Sequence, residues 1–251
     1  MDAWSGSADY SHGFFILPIC LYIIWTKKTI LSAIPVKGSY WGLVIILVSL
    51  CTYIFAHYAE IITLASLSLL PLVAGVIIYL FGFLMLKELL FPLFLLLFMI
   101  PIPSQIYSYL TIPLQLFVSK VSVSIAAILG VPLLREGNVI HLSDKTFQVV
   151  RACSGLRSIV SLLTLSAVFG YFTMKSNLLR LVLFVSAVPV AILVNIVRVL
   201  MMILAYHYFR YDLTHGNVHT FLGMFIFVLA LFCLLFMKGI LSPWDRSLVR
   251  G

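Results

Sequence analysis

Charge is what this sequence has least of. Only 10% of its 251 residues are charged, whereas 63% are hydrophobic and the mean hydropathy is +1.17. A soluble domain of this length could not bury so much apolar surface, so the composition excludes a soluble protein. Apolar runs recur from end to end, which excludes a signal peptide followed by a soluble domain. These runs are continuous rather than alternating, which excludes an outer-membrane barrel.

Motifs for metal binding are missing as well. No HExxH sequence is present, and His215 and His219 lie on opposite sides of an expected helix start, so they and His207 do not make a convincing ligand set. We therefore expect no metal, and no cofactor is indicated. The four cysteines are far apart, without metal-type spacing: Cys20, Cys51, Cys153 and Cys233.

The apolar segments predict an all-α polytopic membrane protein. A bilayer core needs about 20 apolar residues per helix, which gives about seven transmembrane helices. The net charge of +8 is interpreted as loop charge that sets orientation, not as a nucleic-acid footprint. Lys and Arg gather in alternate connections, which predicts an outer N-terminus and a cytoplasmic C-terminus. The candidate spans are 13–26, 41–57, 61–85, 89–102, 155–174, 179–207 and 218–238.

The segment 104–129 is apolar enough to form a helix but carries several polar residues. Counting it as a crossing would put Lys175 and Arg180 outside, so we interpret it as an interfacial or re-entrant helix on the outer side. The following Gly137-Asn138 pair, between apolar-rich arms, predicts a small β-hairpin, with a further short strand near 146–150. Within one domain over 1–251, residues 103–153 are thus expected to form an outer cap.

Cys153 lies where this cap meets the predicted helix 155–174. A thiol at a helix N-terminus with cations nearby favours the thiolate, which is the reactive form of cysteine. Arg151 and Arg157 are sequence neighbours that supply such cations. Cys153 is therefore a candidate nucleophile, whereas the other three cysteines lie inside apolar runs and fit buried packing.

Arg198 and His219 are expected to lie at the same depth as Cys153. Arg198 comes 19 positions after the cytoplasmic start of its helix at Leu179, which is about 28 Å of a core about 30 Å thick. His219 begins the last span on the same side. Cys153 would attack an amide carbonyl, His219 would move the proton, and Arg198 would stabilise the oxyanion. Asn195, one turn before Arg198, would orient it.

Other interpretations of these residues stay open. A membrane cysteine is often inert packing, a membrane arginine can serve a structural ion pair or a lipid phosphate, and a histidine at a membrane edge is often a surface residue. The main rival function is a transporter or lipid-binding permease in which Arg198 and the histidines line a pathway. Another is an exopolysaccharide assembly factor without chemistry of its own.

Four short blocks resemble those of the exosortase/archaeosortase family of membrane cysteine transpeptidases. They occur in the family's order and spacing, and the similarity runs over nearly the whole chain. The second resembles the nucleophile motif and contains Ser154 and Gly155 as supporting residues. The blocks are YSHG at 10–13, ACSGLRS at 152–158, NIVR at 195–198 and HTFLG at 219–223.

The resemblance implies a catalytic set of Cys153, Arg198 and His219, within catalytic helices over 155–238. It implies substrate proteins that end in a Pro-Glu-Pro-like motif, a transmembrane helix and a basic tail. The enzyme would cut near the motif at the outer face of the bacterial inner membrane and transfer the protein to a surface acceptor, alongside exopolysaccharide production. Family members usually carry a transmembrane segment before the YSHG block. Candidates for binding the motif are Arg135, Arg151, Tyr10 and His12.

Overall fold

The computed structural model describes residues 13–142, 144–148, 156–213 and 216–248. Contacts within the chain divide it into two compact units, Met1–Ser104 and Gln105–Gly251. Each unit has its own packing.

The regular elements in the described part of the first unit are all helices. The predicted span 61–85 is interrupted at Ser68 and ends at Gly82, whose φ of 94° only glycine adopts readily. The next helix therefore begins at Phe83, six residues before the predicted start of its span. The helices are α1 Gly13–Thr26, α2 Lys28–Ala33, α3 Trp41–Tyr58, α4 Ile62–Leu67, α5 Leu69–Phe81 and α6 Phe83–Leu96, which continues into a 3-10 turn at Leu97–Met99.

Helices α3 and α5 approach each other through glycine. A Cβ added at Gly42 would overlap the backbone nitrogen of Tyr79, and one added at Gly75 would lie 3.0 Å from the carbonyl oxygen of Gly42. Small residues allow this backbone approach inside a membrane, where van der Waals packing drives helix association. Gly42 and Gly75 therefore set the α3–α5 distance.

The second unit combines long helices with a small sheet. Its last two helices each have 33 residues, which is about 50 Å of helix and more than a bilayer core requires. Its elements are α7 Ser104–Ile128, β1 Leu133–Glu136, β2 Val139–Leu142, β3 Thr146–Gln148, α8 Leu156–Thr173, α9 Asn177–Phe209 and α10 Gly216–Leu248.

Helix α7 is uninterrupted over 25 residues, without the reversal of a re-entrant segment. Its polar side chains have partners in neighbouring elements. The Ser122 hydroxyl donates to the carbonyl oxygen of Ile196 at 3.2 Å, and the Ser119 hydroxyl donates to that of Gly137 at 3.0 Å. The polar residues that suggested an interfacial helix therefore dock α7 onto α9 and the hairpin.

The three strands form an antiparallel sheet in the order β1-β2-β3. The predicted hairpin turn at Gly137-Asn138 is confirmed, with Gly137 at a φ of 62° between Glu136 and Val139. The further strand predicted near 146–150 is confirmed at Thr146–Gln148. The buried side chain of Ile140 turns the sheet's apolar side toward α7 and α9.

The predicted fold class, an all-α polytopic membrane protein with a small hairpin, is confirmed. Within the described ranges, five helical stretches are long and apolar enough to cross a membrane, and two shorter apolar helices accompany them. The long stretches are Trp41–Tyr58, Ile62–Phe81, Gln105–Ile128, Asn177–Phe209 and Thr220–Asp245; the shorter ones are Gly13–Thr26 and Ser158–Thr173.

Substitution of Gly42 by alanine should destabilise the first unit. The added methyl group meets backbone rather than a movable side chain, and overpacking of this kind costs about 1–3 kcal/mol. Gly239→Ala is the matched control, because nothing lies within 4 Å of a Cβ at that helical position. Thermal unfolding in detergent should show a lower Tm for Gly42→Ala and an unchanged or higher Tm for Gly239→Ala. Equal Tm values for the two variants would contradict the close α3–α5 contact.

Candidate active site

Arg198 is a buried cation in the middle of an apolar helix. It lies in α9 with 8% of its surface exposed, and Asn195, one turn earlier, is 2% exposed. A charged residue at such a position is costly and is a functional candidate by default. The structure thus brings two of the sequence-predicted residues together on one stretch of α9.

Gly223 of α10 provides the room for this guanidinium. A Cβ built on Gly223 would lie 3.7 Å from an Nη atom of Arg198 and 4.0 Å from its Cζ atom. His219 lies four positions before Gly223 in the same helix, so the two positions share one helix face. The NxxR and HxxxG blocks, distant in sequence, therefore meet at the α9–α10 contact.

This contact lies at one end of the membrane-sized part of the helix pair. At the other end, Asp245 of α10 accepts hydrogen bonds from the backbone N–H groups of Ser176 at 2.8 Å and Lys175 at 3.0 Å, which caps α9. In each helix 22 positions separate the two contacts, which is about 33 Å. A hydrocarbon core is about 30 Å thick, so the separation of the two contacts is close to one membrane thickness.

Beyond Arg198, helix α9 continues for 11 residues, or about 17 Å. Val199 and Ile203 on this extension belong to one buried apolar cluster with Val118 of α7, Val131 and Ile140. The hairpin and the end of α7 therefore cover α9 where it leaves the membrane-sized segment. The candidate site lies where α9 and α10 meet the hairpin and the end of α7.

The start of α8 packs into the same region. Ile159 and Leu162, in its first two turns, share an apolar cluster with Val194 of α9 and Leu222 of α10. The chain that precedes α8 carries Arg151, Cys153, Ser154 and Gly155, which lie outside the described residues. Arg157 is the second residue of α8.

The candidates for motif binding are distributed differently. Arg135 lies on β1 and donates from Nη1 to the carbonyl oxygen of Gly137 at 2.7 Å, so one of its five N–H groups supports the hairpin turn. Its position is within the hairpin that covers the end of α9. Tyr10 and His12 lie outside the described residues.

Sequence analysis missed a set of ion pairs that joins the sheet to the end of α9. Asp144 pairs with Arg210, and Lys145 pairs with Asp212. The ring of Tyr206 lies under both cations, 5.2 Å from the Lys145 ammonium and 5.8 Å from the Arg210 guanidinium. We call these five residues the ion-pair clamp. The paired residues are 66 and 67 positions apart, so no local sequence pattern could have revealed them.

The clamp fixes the chain just before β3. Hydrogen bonding to the Asp144 carboxylate raises the pKa of the Arg210 guanidinium above its already high value, so this guanidinium stays charged throughout the physiological range. Asp144–Arg210 is largely exposed, whereas the Lys145 and Asp212 side chains are only 24% and 34% exposed. Because exposed pairs contribute little, Lys145–Asp212 is the stronger anchor.

Reversal of one charge in that anchor should loosen the sheet. Lys145→Glu puts two carboxylates together, and a loss of about 1 kcal/mol would speed amide exchange in β2 and β3 about fivefold. The double variant Lys145→Glu/Asp212→Lys should restore slow exchange, and Asp144→Ala should have a smaller effect. Hydrogen-exchange mass spectrometry of the purified protein measures all three. Unchanged exchange in Lys145→Glu would show that the clamp does not hold the sheet.

Comparison with known proteins gives one match. A family model described as transmembrane exosortase (Exosortase_EpsH) matches residues 4–236. No curated protein and no solved structure matches the chain. The matched range covers most of the chain, including the Arg198–Gly223 contact between α9 and α10. This multi-pass membrane protein therefore belongs to the transmembrane exosortase family.

Proposed function

We propose that this protein is a membrane cysteine transpeptidase that cleaves C-terminal sorting signals of other membrane-anchored proteins. Family membership supports a membrane transpeptidase or protein-sorting role in general. The observation that carries the specific proposal is the packing of the Arg198 guanidinium against Gly223, one helical turn from His219. A buried cation and a histidine position at a membrane boundary suit acyl transfer to or from a peptide near the bilayer surface.

Chain connectivity supports Cys153 as the nucleophile. Cys153 lies three positions before Leu156 at the start of α8, so the covalent chain limits its distance from Leu156 to about 11 Å. The first turns of α8 share a cluster with the residues beside Arg198 and Gly223. The nucleophile candidate is thereby tethered near the α9–α10 contact.

The proposed reaction has two acyl-transfer steps. The Cys153 thiolate forms a bond to the scissile carbonyl carbon, and the developing oxyanion receives hydrogen bonds from Arg198. His219 gives a proton to the leaving amine as the C–N bond breaks, which leaves a thioester. An acceptor nucleophile or water then loses its proton to His219 and attacks the thioester carbon, and the thiolate is released. Asn195, one turn from Arg198, holds the guanidinium orientation.

Charge at the two ends of α9 supports an outward-facing site. Lys175, Arg180 and Lys238 lie near the Asp245 end, and positive charge of this kind marks the cytoplasmic side of bacterial inner-membrane proteins. The Arg198–Gly223 contact is about 33 Å away, at the opposite boundary. A substrate helix parallel to α9 and α10 would bring its basic tail to the cytoplasm and its short motif to the site.

The proposed substrate class rests on the family resemblance. A Pro-Glu-Pro-like motif places one carboxylate beside the scissile bond, and Arg135 and Arg151 are candidates to bind it, with Tyr10 and His12 as further candidates. The processed protein would pass to a surface acceptor, in keeping with the link to exopolysaccharide that the family resemblance implies.

Removal of the sorting signal should depend on all three proposed catalytic residues. In cells that co-express the protein with a reporter ending in a Pro-Glu-Pro motif, a transmembrane helix and a basic tail, wild type should release the tail. Cys153→Ala should abolish release, and Arg198→Ala and His219→Ala should reduce it at least about 100-fold, the range for loss of one oxyanion donor or one acid–base group. Immunoblots measure the tail, with Cys51→Ala as the matched cysteine control.

Processing by Cys153→Ala at the wild-type rate would exclude Cys153 as the nucleophile. It would favour a transporter or an assembly factor if Arg198→Ala were also neutral. Membrane levels of each variant, measured in the same samples, separate lost chemistry from lost protein.

The size of residue 223 should control the same reaction. Alanine at this position leaves ordinary van der Waals spacing to the guanidinium, whereas leucine would push Arg198 aside. Gly223→Ala should therefore keep most reporter processing, and Gly223→Leu should lose about as much as Arg198→Ala, with little change in KM for the reporter. Full activity of Gly223→Leu would contradict the role of this contact.

A further inference from the structure

The first unit contains a half-open cavity of about 920 Å³ that the proposed chemistry does not use. It lies among α1, α3, the α4–α5 pair and the end of α6. Its size is at the upper end of the range for small-molecule sites. Small side chains create the space, and larger apolar ones line it. The lining includes the small residues Ala56 and Ala65 and the larger apolar residues Leu50, Leu69, Val73 and Met99.

The deep part of the cavity is effectively apolar. Its serines already donate to their own helices: Ser49 to Ile45 at 2.7 Å, and Ser68 to Ala65 at 2.7 Å. A hydroxyl that already donates a hydrogen bond within its own helix does not require a polar group on a ligand. The deep part of the cavity can therefore accommodate a hydrocarbon chain.

Polar groups gather at one end. His57 lies in the last turn of α3, with its ring 6.1 Å from that of Tyr53, and Glu60 lies in the turn that follows. Among the described residues that line this cavity, Glu60 is the one with a formal charge. The apolar span of α3 ends at Tyr58, so this polar end lies at a membrane boundary. Ser49 lies eight positions deeper, about 12 Å into the span.

We propose that the cavity binds one phospholipid with an ammonium head group, such as phosphatidylethanolamine. One acyl chain fills the apolar depth, and the ammonium pairs with the Glu60 carboxylate beside His57. An anionic phospholipid such as phosphatidylglycerol would bring its phosphate to the same carboxylate without a compensating cation, so it binds more weakly. Ordinary bilayer contact would not select between head groups. This site is independent of the proposed catalysis.

Native mass spectrometry of the full chain in detergent tests the proposal. The protein receives an equimolar mixture of phosphatidylethanolamine and phosphatidylglycerol with identical acyl chains. Wild type should retain one lipid and prefer phosphatidylethanolamine about tenfold, which corresponds to one charge-assisted pair. Glu60→Gln should still bind lipid but lose the preference, whereas the control Glu136→Gln, on the hairpin of the second unit, should keep it.

Filling the cavity should displace the lipid. Ala65→Phe should retain none and Ala65→Leu should retain less, whereas Leu47→Phe, a control on an exposed position of α3 outside the cavity, should bind as wild type does. Thermal unfolding confirms that each variant is folded, and the milder Ala65→Leu serves if the phenylalanine variant is not. Three results would each overturn the proposal. Wild type could retain the two lipids equally, both filled variants could retain as much lipid as wild type, or the bound material could be a co-purified protein instead of a lipid.

Discussion

The second unit depends on a buried guanidinium held between two long helices. An arginine at the centre of a membrane-spanning helix costs about 3 kcal/mol on membrane-insertion scales, so a fold that keeps Arg198 must reduce that cost through local structure. Gly223 leaves room for its terminal nitrogens, Asn195 lies one turn away, and we propose that the position lies at a membrane boundary instead of the bilayer centre. Replacement of Gly223 by a large side chain would remove the space on which the other features depend.

Two contacts far from Arg198 fix the position of α9 relative to α10 and to the sheet. The Asp245 carboxylate caps α9 at its far end, so α9 and α10 cannot slide along each other without the loss of two charge-assisted hydrogen bonds. The ion-pair clamp joins the sheet to the last turn of α9, which fixes the strand that leads toward Cys153. Residues 149–155, which include Cys153, thus follow an anchored strand and precede the packed start of α8, and such tethering at both ends favours the proposed reaction geometry.

Sequence was informative where the signal was local. The Gly137-Asn138 turn, the apolar spans and the buried Arg198 all follow from neighbouring residues. It was less informative where the signal was tertiary. The polar residues of 104–129 led to the prediction of an interfacial or re-entrant helix. In the structure, the Ser122 hydroxyl donates to the carbonyl oxygen of Ile196, 74 positions away, and no local sequence pattern reveals such a distant partner. The end of helix α5 at Gly82 was not predicted, because a single glycine inside an apolar run does not by itself indicate a positive φ.

We propose that Cys153 and the His219 face of α10 meet beside Arg198. A short bis-maleimide cross-link tests it most directly. In protein whose other cysteines are serine, Cys153 should cross-link to a cysteine introduced by His219→Cys, but not to one introduced by Ser242→Cys at the far end of α10. Mass spectrometry of the digested protein identifies the linked peptides. Cross-linking at 219 alone is the predicted result. The absence of a cross-link between Cys153 and the cysteine at position 219 would contradict this arrangement, provided that both thiols react with a monofunctional maleimide.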